Sequence, residues 1–384
     1  MKHQAWLIVL TTTLMGITAL EITHDNQNMG SRGSSDSSSQ RNPASLSCDS
    51  KKAKTHALGI SHPNAIAVDS SGAVYVSEID NNVILKIRPD GKLETLAGRP
   101  GTPGYRDGKA DQAKFSFPSG IVIDSGNNVF IADTNNAIIR EISPTGLVST
   151  FAGYPGRRDQ KDGKGRSARF LNPTAMTIDK KDNIFVADAD SVRKISPDGS
   201  VSTALKGLPL PPRKGKEEQV SREITGIFAG EDGAIYISDV DPDDLDVNGL
   251  RSKYDPISPT AVIRKISTDG NLTTVAGNQE YKDSFSGEHR NEIVYLYAIQ
   301  GLSVTKNGDL IFSEIDGLRK FSTRTGEISN FHLEKPWLAG LHTLAPTFIT
   351  IDKSDNIYFY NEESFSIYKI DPLGKAHRVL GEKR

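Results

Sequence analysis

Residues 121–153 read IVIDSGNNVFIADTNNAIIREISPTGLVSTFAG, four short apolar runs parted by polar, turn-forming clusters. Runs of β-branched and aromatic residues bounded by Asn-Asn, Gly-Asn or Pro-x-Gly predict strands joined in hairpins. They place strand A at 121–124, B at 129–132, C at 138–142 and D at 148–151. Residues 176–207, MTIDKKDNIFVADADSVRKISPDGSVSTALKG, repeat the pattern. Each copy sets an acid, Asp133 or Asp188, directly after an apolar strand B.

A fixed internal period is the signature of a repeat architecture. The unit recurs as AIAVDSSGAVYVSE from Ala65, GIVIDSGNNVFIAD from Gly120 and AMTIDKKDNIFVAD from Ala175. More divergent copies are GIFAGEDGAIYISD from Gly226, GLSVTKNGDLIFSE from Gly301 and FITIDKSDNIYFYN from Phe348. Four antiparallel strands in a unit of this size describe a propeller blade, so six copies predict an all-β, six-bladed β-propeller of four-stranded antiparallel blades.

The motif NVFIAD followed by NNAIIREI, with Pro and a small residue ahead of strand A, resembles the NHL-repeat family of six-bladed propellers. The connecting segments AGRPGTPGYRDGKADQAKFSFPSGI and AGYPGRRDQKDGKGRSARFLNPTAM strengthen the likeness. Both carry Ala-Gly, a central Asp-Gly, and Phe three residues before Pro. The resemblance covers about five-sixths of the chain and implies a propeller of the bacterial exported type. The last blade has two candidate closing strands, THALG at 55–59 and HRVLG at 377–381. The N-terminal one is expected to pair with the C-terminal blade.

Within such a blade the B–C and D–A loops share one face, the upper one. The A–B and C–D turns opposite are short and uniform, so binding is expected on the upper face, where long loops ride on a rigid scaffold. The acids after strand B lie there: Glu78, Asp133, Asp188, Asp239 and Glu314, with Asn361 in the sixth copy. They would form a carboxylate ring for a cation or a basic ligand, or each would accept backbone N–H groups within its own B–C loop. Recurrence in nearly every blade favours the second reading, because a unique site needs residues that break the repeat.

The residues that break it are in three loops. The blade-four B–C loop contains DLDVNGLRSKYD, which places Asp244, Asp246, Asn248, Gly249, Ser252 and Asp255 at positions 1, 3, 5, 6, 9 and 12 of an EF-hand-type calcium loop. Asp255 is shorter than the usual bidentate Glu, and Arg251 takes a position that is usually apolar. The loop is therefore either a structural calcium site or a solvated acidic segment. The connection after blade four gains Tyr281, His289 and Arg290, and FHLEKPWLAGLHTLAP brings Trp337. With Arg106 and Arg157 of the earlier D–A loops, these are the candidate residues for a ligand or partner, or they repack drifted blades.

The NHL likeness also implies a catalytic alternative, because related six-bladed propellers include metal-dependent lactonases and a zinc-dependent amidating lyase with a channel site. Such a site needs His or carboxylate ligands converging from several blades. The histidines share no register, strands A are apolar, and no Gly-x-Ser-x-Gly or phosphate loop is present. The reading that fits best is a non-catalytic exported scaffold, with no assigned cofactor beyond that calcium, which binds a protein or glycan ligand as a monomer.

Composition narrows the remaining choices. The net charge of −2 and the scattered Lys and Arg exclude the electrostatic footprint of a nucleic-acid binder. A single cysteine, Cys48, excludes an intramolecular disulfide. Residues 1–20 couple Lys2 to an apolar stretch that is short for a membrane span and fits a signal peptide, with an uncleaved N-terminal anchor as the alternative. Residues 21–50 are a Ser/Gly-rich disordered linker, and the propeller occupies 51–384. The expected location is periplasmic or extracellular.

Overall fold

A computed structural model describes residues 60–208, 223–240, 261–277, 299, 301–314, 317–331, 346–361 and 364–380. The leader and linker lie outside these residues, as do Tyr281, His289, Arg290, Trp337 and the whole 244–255 loop.

The described strands form six antiparallel sheets, each drawn from consecutive sequence. In blade two the strands are Pro118–Ile123, Val129–Asp133, Ile138–Ile142 and Leu147–Ala152, within a few residues of the boundaries read from the pattern. The innermost strands are Pro63–Val68, Pro118–Ile123, Pro173–Ile178, Glu223–Ala229, Leu302–Val304 and Pro346–Ile351. Each packs against the next and the sixth returns to the first, which closes the ring.

Closure differs from the expectation in its details. The outer strand of the sixth blade is Ala376–Leu380, paired with Ser366–Ile370, so that blade completes its four strands from its own repeat. Residues 55–59, expected in that role, lie outside the described residues. The ring is held at this junction by side-chain packing. Val76, Leu85 and Ile87 of blade one meet Tyr358, Tyr360 and Ile367 of blade six.

Blades two and three have five strands rather than four. Gly108–Lys109 pairs with Leu147–Ala152, and Gly163–Lys164 pairs with Ser200–Leu205. The extra pairing uses the Asp-Gly of the two matching connections. Gly108 and Gly163 sit at φ +130° and +154°, where a side chain is disfavoured.

The second strands VYVSE, VFIAD, IFVAD and IYFYN are buried at every position because a neighbouring blade covers each face. That explains their continuous apolar runs in place of alternation. The core is accordingly divided into six clusters, one at each blade junction; Ile84, Phe115, Ile131 and Ile142 anchor the first. Burying each such side chain contributes about 2 kcal/mol.

Small residues at the head of strand A let the inner strands converge. A Cβ at Gly120 would lie 2.3 Å from the Thr174 carbonyl oxygen, in the next blade. On the lower face the acid that ends strand A staples its own turn. Asp124 accepts from the Asn128 N–H at 2.8 Å and its amide at 2.8 Å, and Asp179 and Asp352 repeat the device. The turns also join between blades, where the Ser125 N–H donates to Asp182 at 3.0 Å and the Lys306 N–H to Asp355 at 3.0 Å.

Candidate functional site

The upper face is organised around the acids that end strand B. Glu78, Asp133, Asp188, Asp239 and Asn361 are all fully buried, so none presents its side chain to a ligand from solvent. Their partners are largely outside the B–C loop. Asp133 accepts from the Ser116 N–H at 2.7 Å, Asp188 from the Leu171 and Asn172 N–H groups at 2.8 and 2.7 Å, and Glu78 from His62 N–H at 2.9 Å. All four donors precede strand A. These three acids therefore tie the top of their own blades to the connections entering them, a wider role than the loop staple expected from turn chemistry, whereas Asn361 accepts from the Ser364 N–H within its own B–C loop.

In blades two to four the acid has a second partner, an arginine of strand C. The third residue from the end of strand C is Arg140, Arg193, Arg264 and Arg319 in blades two to five. Arg140 and Arg193 are completely buried. Arg140 Nη1 donates to Asp133 Oδ2 at 2.9 Å and to the Lys114 carbonyl at 2.9 Å. Its Nη2 donates to the Arg106 carbonyl at 2.8 Å and Asp107 Oδ1 at 2.7 Å. The guanidinium carbon also lies 4.9 Å from the Phe115 ring centroid and 5.2 Å from that of Tyr105. Arg193 repeats the arrangement with Asp188, the Arg169 carbonyl, Asp162 and Phe170.

The two conspicuous elements of the connecting segments now have physical roles. The aspartate of Asp-Gly neutralises the far side of the arginine, and the phenylalanine of Phe-x-x-Pro covers its face. An arginine held in the same register of strand C in four successive blades was the available signal. Blade four lacks both elements in the connection that enters it. Arg264 Nε reaches Asp239 at 2.8 Å, yet its buried Nη2 has no hydrogen-bond partner among the described residues. Blade one has Leu85 at this position, and its acid is the longer Glu78, which also accepts from the Ser61 hydroxyl and the Asn81 N–H.

Burial shapes the titration of these groups. It pushes Asp133 up to about 6, against the opposing pull of Arg140 and of the hydrogen bonds from Ser116 and Asn136. Asp188 is likewise raised by burial, against its bonds to Asn172 and Arg193. Asp162 is more exposed; burial opposes its ionisation, but hydrogen bonds from Thr203 and Arg193 outweigh it and hold the carboxyl below the usual range.

Of the residues singled out from the sequence, Arg106 and Arg157 are described, and both are exposed on upper-face connections. Asn136 joins the two loops, as its side-chain amide donates to the Gly104 carbonyl at 3.0 Å while its own carbonyl accepts from the Gly156 N–H at 3.0 Å. Arg158 ties the same region from beneath, donating to the carbonyls of Thr134, Asn135 and Leu171. No group of three or more His, Cys, Asp or Glu among the described residues is placed to hold a metal ion.

Comparison with known proteins agrees with this architecture. The model of the NHL repeat matches residues 115–140, from Phe115 to Arg140. The chain is 38% identical over 84 residues to the chloroplastic protein SUPPRESSOR OF QUENCHING 1 of Arabidopsis thaliana, a stretch that covers 22% of this chain and 8% of that one. It is 32% identical over 103 residues to NHL repeat-containing protein 2 of Bos taurus, covering 26% and 14%. The chain thus spans a small part of the length of these relatives. Among solved structures it is similar to a streptogramin B lyase, with a TM-score of 0.50 and 17% identity over 85% of this chain and 86% of that one, a likeness of fold alone. Six blades in a closed ring, with an NHL repeat matched in the second, make this chain a six-bladed β-propeller that carries an NHL repeat.

Proposed function

We propose that the protein is a binding scaffold that presents its upper face to a macromolecular ligand. One observation carries the reading: the long connections entering blades two and three are bolted to the blades by Arg140 and Arg193, whose guanidinium groups are fully buried. Loops fixed in this way are prepared surfaces and not lids, and a surface ordered before contact loses less conformational entropy on binding. Of the recurring acids, Asp133, Asp188 and Asp239 are each buried in a bond to the arginine of their own blade. Channel chemistry of the lactonase or lyase kind would have to draw its ligands from residues other than these three.

The test is a binding screen of the purified protein against arrays of extracellular proteins and glycans. Variants of the upper face, Arg106→Ala and Arg157→Ala, are expected to weaken the interaction, and lower-face variants such as Lys92→Ala and Lys353→Ala to leave it intact. Equal loss from both faces would overturn the reading. So would turnover of lactone substrates that survives the upper-face substitutions.

A further inference from the structure

Charge on the upper face is unevenly distributed. Residues 99–117 carry four basic and two acidic side chains, and residues 154–172 carry six basic and two acidic, in a chain whose net charge is −2. Three of the four acids are already committed: Asp107 to Arg140 and Arg166, Asp162 to Arg193, and Asp159 to Arg169. Arg99, Arg106, Arg157 and Lys161 are exposed and have no carboxylate partner among the described residues. Unneutralised cations therefore cluster on two loops that Asn136 holds together.

The same loops expose apolar side chains. Tyr154 is 50% and Leu171 40% solvent-exposed, whereas Ala168 and Phe170 of the same connection are fully buried. Tyr154 sits at the turn whose carbonyl accepts from the Arg157 N–H, and Leu171 is anchored by Arg158. Tyr and Arg are enriched among the residues that dominate protein interfaces, where a large apolar contact is rimmed by directional charge. A purely polyanionic ligand would use the cations and leave Leu171 idle.

Resting on the reading of the upper face as the binding surface, we infer that the patch formed by Arg106, Tyr154, Arg157 and Leu171 docks an acidic segment of a partner protein that also carries apolar or aromatic side chains. Carboxylates of that segment meet Arg106 and Arg157, and its apolar residues cover Tyr154 and Leu171. Long-range attraction from the unpaired cations steers the encounter, and the apolar contact slows release.

The experiment uses three probes with the full chain: a random copolymer of Glu and Tyr, poly-L-glutamate, and heparin as an anionic glycan. The Glu-Tyr copolymer is expected to bind most tightly, and its binding should weaken as salt is raised from low to physiological. Arg106→Glu with Arg157→Glu should raise its Kd by more than about tenfold. Tyr154→Ala with Leu171→Ala should raise it for the copolymer while hardly changing poly-L-glutamate binding. Lys92→Glu with Lys353→Glu, on the opposite face, serves as the control, and circular dichroism verifies that each variant is folded. The inference is overturned if heparin binds at least as tightly as the copolymer and loses binding with the same arginines, since the ligand class is then a glycan. It is also overturned if the copolymer does not bind, or if the control pair weakens it as much as the patch. Should the copolymer fail while a ligand from the array screen still depends on Arg106 and Arg157, the partner chemistry is wrong and the upper-face reading stands.

Discussion

Arg140 donates from Nη1 to Asp133 Oδ2 at 2.9 Å, and neither side chain has any exposure to solvent. Through Nη2 the same guanidinium holds Asp107 at 2.7 Å, so one residue of the third strand joins the end of the second strand to the loop that enters the blade. Two charges moved out of water are costly to bury, and the arrangement is tolerable because four hydrogen bonds to oxygen and two aromatic faces surround the cation.

Removing one partner of such a network leaves the other buried without compensation. Arg140→Leu is expected to destabilise the fold by about 3–5 kcal/mol. Arg264→Leu should cost less, because among the described residues Arg264 bonds only Asp239, through Nε, and its Nη2 has no partner. Urea midpoints of the two variants measure the difference. Equal losses would show that the connecting loop contributes nothing to the worth of the arginine.

The raised carboxyls set the direction of the pH dependence. Asp133 titrates at about 6 in the folded protein against 3.8 when unfolded, and Asp188, Glu141 and Glu223 are raised as well. Between these limits the folded state holds more protons than the unfolded chain. Stability should therefore rise as pH falls from 7 towards 5, with the contribution lost again as pH climbs through 6. Below about 4 the opposite groups take over. Asp69, Asp162 and Asp232 are held low by hydrogen bonds that outweigh burial, and Asp198, bound by Lys164, sits at about 2. Urea midpoints at pH 7, 6 and 5 measure the slope, and Asp133→Asn, which cannot take up the proton, should flatten it.

Much of the scaffold was legible in the chain because its turns use local chemistry. The Asp-to-Asn spacing of the A–B turn and the Pro-x-Gly of the C–D turn each act within a few residues, so strand boundaries followed. The junctions between blades were harder to read. Asp133 and Arg140 are seven residues apart, but Asp107 meets Arg140 across 33 and Ser125 meets Asp182 across 57. Nothing local marks those partners, and the central Asp-Gly of the connection carries no sign that its acid meets an arginine of strand C. Closure misled for a related reason: THALG and HRVLG have the same strand-D chemistry, and only the pairing of Ala376–Leu380 distinguishes them.

Convergence of the inner strands makes a second test. At Gly120 a Cβ would stand 2.3 Å from the Thr174 oxygen and 2.9 Å from the Met176 backbone nitrogen, both in the neighbouring blade. Gly120→Ala must push two strands apart, at about 3 kcal/mol. At Gly72 a Cβ meets nothing within 4 Å, and the only penalty is its φ of +83°. Gly72→Ala should cost about 1 kcal/mol. Thermal unfolding of the two variants separates steric overlap from backbone strain, and the order is expected to be unambiguous.

The rigidity of the upper face can be tested without touching its surface. Asp107 accepts from Arg140, Thr150, Arg166 and Tyr105, and it precedes the Gly108–Lys109 strand that pairs with Leu147–Ala152. Asp107→Asn keeps the shape and removes the charge, so the loop loses its strongest tie while the blade core stays intact. Hydrogen exchange at the Arg106 and Lys114 amides, which bridge the loop to itself, should quicken about tenfold, the equivalent of about 1.4 kcal/mol. Exchange at Leu147, in the neighbouring strand, should hardly change if the effect is confined to the loop. Because Arg106 rides on this loop, the same substitution should weaken binding at the upper face although no contact residue has been altered. If the loop loosens and binding is unaffected, the prepared-surface argument fails, and the connections are held rigid only for the sake of the fold.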